Sequence, residues 1–97
     1  MLTKKYFKTK DEYEVTFAYG GDADSVALLT AANDWVPVPM KKNSKGVFTT
    51  KLRIPANGQY QFRYLVNDAD WANDESADAY VPNEHGSENG VVDTSVN

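Results

Sequence analysis

The stretch Gln59-Tyr60-Gln61-Phe62-Arg63-Tyr64-Leu65-Val66 alternates strictly between apolar and polar side chains. Alternation at period two gives one apolar face only to an extended chain, so it fixes a β-strand. Tyr60, Phe62, Tyr64 and Val66 share one face, and Gln59, Gln61, Arg63 and Leu65 share the other. Glu12 to Tyr19 repeats the pattern, with Tyr13, Val15, Phe17 and Tyr19 pointing one way and Glu14, Thr16 and Ala18 the other. Gly46 to Ile54 repeats it again, with Phe48, Leu52 and Ile54 on one side. Ser25 to Leu29 reads as a short buried strand, Ala79 to Val81 as a weak one, and Gly90 to Asp93 as the last.

Turn chemistry separates these strands. Gly20-Gly21-Asp22, Lys41 to Gly46 and Pro55-Ala56-Asn57-Gly58 are the breaks. Trp35 to Pro39 cannot be a central strand, because Pro37 and Pro39 lack the donor that a ladder needs. No segment of helical length carries a 3.6-residue period. Short strands at roughly 8 to 12 residue spacing predict an all-β fold, an antiparallel β-sandwich. The 97 residues form a single domain. Its core is expected at about 13–93, after a basic segment 1–12 and before a frayed tail at 94–97.

Charge and composition remove several function classes. Formal net charge is −4, and no cysteine is present. Disulfides and thiolate metal sites are therefore excluded, and a reducing, cytoplasmic setting is the expectation. No apolar run reaches the ~18 residues of a membrane span. Lys4, Lys5, Lys8 and Lys10 crowd the beginning, which reads as a solvated terminal strand. After Arg63 no lysine or arginine follows, while Asp68, Asp70, Asp74, Glu75, Asp78, Glu84, Glu88 and Asp93 do. That acidic half opposes a phosphate backbone, so nucleic acid is not an expected partner, and without a spanning run neither is a membrane.

Catalytic and metal readings find little to work with. His85, the single histidine, lies in the loop Asn83-Glu84-His85-Gly86-Ser87, and no serine sits in a nucleophile-elbow context. Glycoside hydrolysis needs two carboxylates about 5 to 9.5 Å apart beside a cleft, for which a sandwich this small has little room. Asp68-Ala69-Asp70-Trp71-Ala72 begins like a calcium loop, but Ala72 stands where the third ligand belongs. No glycine-rich phosphate loop occurs. No catalytic residue, metal or cofactor is expected.

What remains is the pair of tryptophans. Trp35 ends Ala31-Ala32-Asn33-Asp34-Trp35, and Trp71 sits in Asp68-Ala69-Asp70-Trp71-Ala72-Asn73-Asp74, so both read as lying in polar turns of Asn, Asp and Ala. One reading folds each indole inward as a plug for an end of the sandwich, worth about 1.5 to 3 kcal/mol of burial. The other leaves them outward as flat apolar plates. Asn33, Asp34, Asp70, Asn73 and Asp74 would then supply hydrogen bonds, a combination that suits the C–H faces and hydroxyl rim of a sugar. Arg63 faces out from its strand, either as a solvated charge or as a planar donor for hydroxyls.

Taken in order, Val26-Ala27-Leu28, Asn33-Asp34-Trp35, Pro39-Met40, Gly46-Val47-Phe48, Gly58 to Val66, Trp71-Ala72-Asn73-Asp74 and Gly86-Ser87-Glu88-Asn89 resemble the family 48 carbohydrate-binding modules. These include the glycogen-binding domain of the AMP-activated protein kinase β subunit and the early-set domains of isoamylases and glycogen-branching enzymes. The resemblance spans roughly residues 13 to 93 and is greatest to small stand-alone bacterial members. It implies an immunoglobulin-like sandwich of the early-set type that binds α-1,4-linked glucans such as glycogen, starch or maltooligosaccharides. It also implies that Trp35 and Trp71 form the sugar platform, that Arg63 stands at a basic position contacting hydroxyls, and that Asn89 bonds sugar. The chain departs from the family pattern at three places. Ala32 replaces an aromatic, Arg63 replaces the common lysine, and Asn67-Asp68-Ala69-Asp70-Trp71 replaces D-G-x-W with one extra residue and no glycine. Some enzyme-linked members serve as packing domains, so the second expectation is a docking domain for a glycan-metabolising enzyme in trans.

Overall fold

The computed structural model describes residues 2–83 and 86–95. Ten strands and one 3-10 turn follow in order: β1 (Leu2–Phe7), β2 (Glu12–Tyr19), β3 (Val26–Thr30), the 3-10 turn Ala31–Asn33, β4 (Val38–Pro39), β5 (Lys41–Lys42), β6 (Phe48–Pro55), β7 (Gln59–Val66), β8 (Asp70–Ala72), β9 (Ala79–Pro82) and β10 (Glu88–Asp93). They build two antiparallel sheets. One has the order β1-β2-β6-β5. The other has the order β4-β3-β7-β10-β9, with β8 paired to β7 beyond the end of β10. This is the all-β antiparallel sandwich expected from the period-two patterning, in the immunoglobulin-like form that the resemblance implies.

The inward faces match that patterning. Val15 and Phe17 of β2, Phe48 and Ile54 of β6, and Phe62, Tyr64 and Val66 of β7 are buried. Aromatic rings tie the sheets together: Phe17 meets Phe62 edge-on with centroids 5.1 Å apart, and Tyr19 approaches Tyr64 at 5.7 Å. Each such pair adds about 0.5 to 1.5 kcal/mol beyond its buried area. Tyr64 Oη donates to the buried carboxylate of Asp74 at 2.8 Å. Burial, and then the charge and hydrogen bond of Asp74, hold the Tyr64 phenol far above its ordinary pKa.

Several local expectations shift. The basic segment 1–12 is part of the sandwich, because β1 pairs with β2 from Leu2↔Phe17 to Phe7↔Glu12. Lys4 reaches across to the other sheet, donating to Asp78 Oδ2 at 2.5 Å and to the Asp93 carbonyl at 2.9 Å. Thr94, expected at the start of a frayed tail, is fully buried; its hydroxyl donates to the Pro55 carbonyl at 2.8 Å and accepts from Gly58 N–H at 3.1 Å. Residues 96 and 97 of that tail lie outside the described residues. Lys41 and Lys42, read as turn, form β5 against Phe48 and Thr49. Val38 and Pro39 make the edge strand that their prolines allow.

Candidate functional site

Neither tryptophan plugs the sandwich. Trp35 is 40% exposed and Trp71 50% exposed. Both line one open cleft of about 640 Å³, together with Gln61, Arg63, Asn83, Ser87 and Asn89. Trp35, Arg63, Trp71 and Asn89, the four residues that the resemblance names, therefore meet at one place on the outer face of the larger sheet. Asn33, Asp34, Asp70, Asn73 and Asp74, expected to supply hydrogen bonds to a sugar, do not line it, and Asp74 is buried under Tyr64 instead.

Trp35 is positioned by its backbone. Thr30, fully buried at the end of β3, donates from Oγ1 to the Gln61 carbonyl at 2.9 Å and accepts from Ala32 N–H at 3.2 Å. It caps the 3-10 turn and fastens it to the cleft strand β7 in one side chain. Asp34 and Trp35 then both adopt left-handed backbone, with φ of 54° and 61°. Trp35 N–H closes back onto the Thr30 carbonyl at 2.8 Å. A large non-glycine residue held there costs about 1 to 3 kcal/mol, strain that concentrates at functional sites. Ala32, the small residue where the resemblance has an aromatic, is half-buried against the core.

Trp71 is positioned by sheet register. It belongs to β8 rather than to a turn, paired with Leu65 of β7. Leu65 and Arg63 share the outward face of β7, so Trp71 joins them. The turn before it is Asn67-Asp68-Ala69, in which Asn67 and Asp68 take φ of 54° and 57°. Asn and Asp tolerate this region better than other side-chain residues, which explains how the hairpin closes without glycine. Asn67 Oδ1 also accepts from the backbone of Asp24 at 2.7 Å and of Ser25 at 3.1 Å, pinning the turn to the start of β3.

Arg63 spans the floor between these groups. Its guanidinium lies 5.3 Å from the Trp71 ring centroid, and its Nη1 is 3.4 Å from Ser87 Oγ. Its buried Nε has no hydrogen-bond partner among the described residues. Gly90 pairs with Phe62, which sets Asn89 beside Arg63. Asn89 Nδ2 donates to Gln61 Oε1 at 2.9 Å, and its Oδ1 accepts from Asn83 Nδ2 at 3.1 Å. Asn83 and Ser87 close the intervening loop on each other, with Asn83 N–H donating to the Ser87 carbonyl at 2.8 Å. His85 of that loop lies outside the described residues. Gln61, Asn83 and Ser87 were not singled out as site residues. Gln61 was findable, since it lies two positions from Arg63 on the same face.

The site is thus two exposed indoles flanking a polar floor of amides, one hydroxyl and one guanidinium. Comparison with known proteins gives the family of the chain. A family model described as the glycogen recognition site of AMP-activated protein kinase matches residues 13–97. The chain belongs to that family. This glycogen recognition family is the carbohydrate-binding group that the sequence resembled, and its model extends to the last residue. Among solved structures, the apo pullulanase of Paenibacillus barengoltzii is similar at 22% identity and a TM-score of 0.55, covering 96% of this chain and 14% of the pullulanase. A variant of that pullulanase complexed with maltotriose is similar at the same identity and TM-score, with 15% of its chain covered. This chain therefore spans about a seventh of the length of those enzymes, and the likeness is one of fold. No curated protein gives a match.

Proposed function

We propose that this protein is a non-catalytic module for α-1,4-linked glucans, with Trp35 and Trp71 as a stacking platform. The observation that carries the reading is the shared cleft, in which two half-exposed indoles flank Arg63 and Asn89. Membership of the glycogen recognition family supports the ligand class, and a pullulanase of similar fold has been solved with maltotriose. The indole faces take the C–H faces of successive glucose rings. The Arg63 guanidinium lines the cleft beside Trp71 and offers its N–H fork to sugar hydroxyls. Asn89 and Gln61 already bond each other, so they present a fixed polar edge rather than mobile side chains.

Stacking on each indole contributes roughly 1 to 3 kcal/mol, by analogy with bases on aromatic platforms. With a few exposed hydrogen bonds the total comes to about −4 to −7 kcal/mol, a Kd from roughly millimolar to ten micromolar. Calorimetric titration with maltoheptaose tests this. Trp35→Ala and Trp71→Ala should each stay folded and bind about 5- to 150-fold more weakly. Variants that fold and bind like the parent would remove the platform. No response to maltoheptaose from the parent would favour the docking reading, with a glycan-metabolising enzyme in trans as partner. Release of reducing sugar from starch by the pure protein would overturn the non-catalytic assignment.

A further inference from the structure

The two sheets are oppositely charged. Residues 2–19 and 41–55, the strands and turns of the four-stranded sheet, hold nine of the ten basic residues and three of the fourteen acidic ones, a surplus of six positive charges. The rest of the chain holds one basic and eleven acidic residues, a surplus of ten negative charges. The formal charge of −4 conceals this separation. Even the shortest dimension of the molecule is 22 Å, well over the ~8 Å Debye length at physiological salt. The acidic sheet therefore does not cancel the field that the basic sheet presents outward.

Register locates the cations. Pairing aligns Thr3, Thr16 and Lys51 in one outward row, Lys5, Glu14 and Arg53 in the next, and Ala18, Thr49 and Lys41 in a third. Arg53 neutralises the two carboxylates of this face, at 2.7 Å from Glu12 and 3.7 Å from Glu14, while its guanidinium stacks 3.7 Å from the Phe7 ring. Lys5, Lys41 and Lys51 are exposed and make no ion pair among the described residues. Lys8, Lys10 and Lys45 extend the positive charge into the turns at either end.

We propose that this outer face docks the carboxylate-rich surface of a partner protein. Two eight-residue strands flanked by one of six and one of two make a face of at most roughly 27 by 19 Å, the size of a transient interface rather than an obligate one. Lysines spaced among threonines, with two carboxylates between them, match a protein surface of mixed polarity better than a continuous phosphate backbone. A long polyanion would also overrun the face and meet the acidic remainder. The proposed glucan cleft lies on the outer face of the other sheet. Both ligands can therefore be held at once, and this last clause alone rests on the glucan reading.

The test is an NMR titration of the isotope-labelled full chain at about 0.1 M salt, with poly-L-glutamate as the carboxylate probe. Duplex DNA and phosphatidylglycerol vesicles, at equal charge concentration, are the rivals. Poly-L-glutamate should shift the amides of Thr3, Lys5, Thr16, Lys41 and Lys51, and do so equally with maltoheptaose present. Binding should weaken about tenfold or more at ~1 M salt, and likewise on Lys41→Glu with Lys51→Glu. Lys5→Gln gives the same readout, at smaller size, should the double variant lose its fold. The proposal is overturned by absent shifts at low salt, by shifts spread over both sheets, or by tighter binding of DNA or vesicles to these residues. A chain that binds poly-L-glutamate here but ignores maltoheptaose keeps this proposal and loses the glucan platform.

Discussion

Trp35 and Trp71 stand on the same cleft, yet the chain holds them out by different means. Trp35 sits on a loop closed by backbone hydrogen bonds, with two successive left-handed residues and one buried threonine as the anchor. Trp71 sits on a strand, where pairing with Leu65 decides its direction and Arg63 lies 5.3 Å from its ring. Behind β8 the anchor is Asp74, bonded by Tyr64 from the core and, through its backbone carbonyl, by Tyr80. A large apolar side chain turned towards water is unfavourable in both places. One solution stores the cost as backbone strain, and the other spreads it over a sheet register that is paired in any case.

The sharpest way to break the comparison is to cut one anchor at a time. Tyr64→Phe removes a buried hydrogen bond to a carboxylate and should cost about 1 to 3 kcal/mol in denaturant unfolding. The amides of β8 should lose hydrogen-exchange protection first, and the loop of Trp35 should not change. Alkaline titration probes the same anchor. The folded phenol has its pKa raised far above 10, so the stability it contributes is fully present below about pH 10. Above that pH the unfolded chain loses the Tyr64 proton while the folded chain keeps it, and stability should fall by about 1.4 kcal/mol per pH unit. Tyr64→Phe should lessen that slope, and an unchanged slope would show that Tyr64 ionises freely in the folded state.

Thr30→Val is the matching cut on the other side. It removes the bond to the Gln61 carbonyl and the cap on Ala32, for about 1 to 2 kcal/mol. Here the Trp35 indole resonance should broaden or shift while that of Trp71 holds. A smaller effect is expected from Arg63→Lys, which keeps the charge but removes the planar group beside Trp71. About 0.5 to 1 kcal/mol of cation–π contact is at stake, read as a displaced Trp71 indole resonance. The smallest contrast lies in the turns. Asp34→Gly relieves a left-handed residue and should be neutral or stabilising by up to about 1 kcal/mol. Asn67→Gly relieves the same strain but forfeits two bonds from Asp24 and Ser25, so it should destabilise. If the two glycine variants behave alike, the Asn67 side chain has no part in the hairpin.

The same contrast explains what could be read in advance. Strands with a buried face announce themselves by alternation, so β2, β6 and β7 were legible to within a residue or two. Strands β4, β5 and β8 were not, because two or three residues on an edge carry no pattern of their own and take their form from a neighbour's unpaired backbone. That is why Trp71 was placed in a turn and emerges in a strand. The outward phase of Arg63 followed from its neighbours Phe62 and Tyr64. Its approach to Trp71 and Ser87 did not, because those partners lie 8 and 24 positions further along the chain. Thr30 escaped notice although a threonine before Ala31-Ala32-Asn33 has the chemistry of a cap, since three residues are too few to signal a helical turn. Asn83 carries only a loop composition in the sequence, and what makes it part of the cleft is its bond to Asn89 across that loop.

The sequence has two tryptophans, and both are in the cleft. Their near-ultraviolet emission is therefore a private signal, since no indole elsewhere dilutes it. Whatever fills the cleft, moves either wall or excludes a quencher such as iodide is read directly as a change in intensity or colour. Events on the basic face, on the far side of the sandwich, should leave that light unchanged.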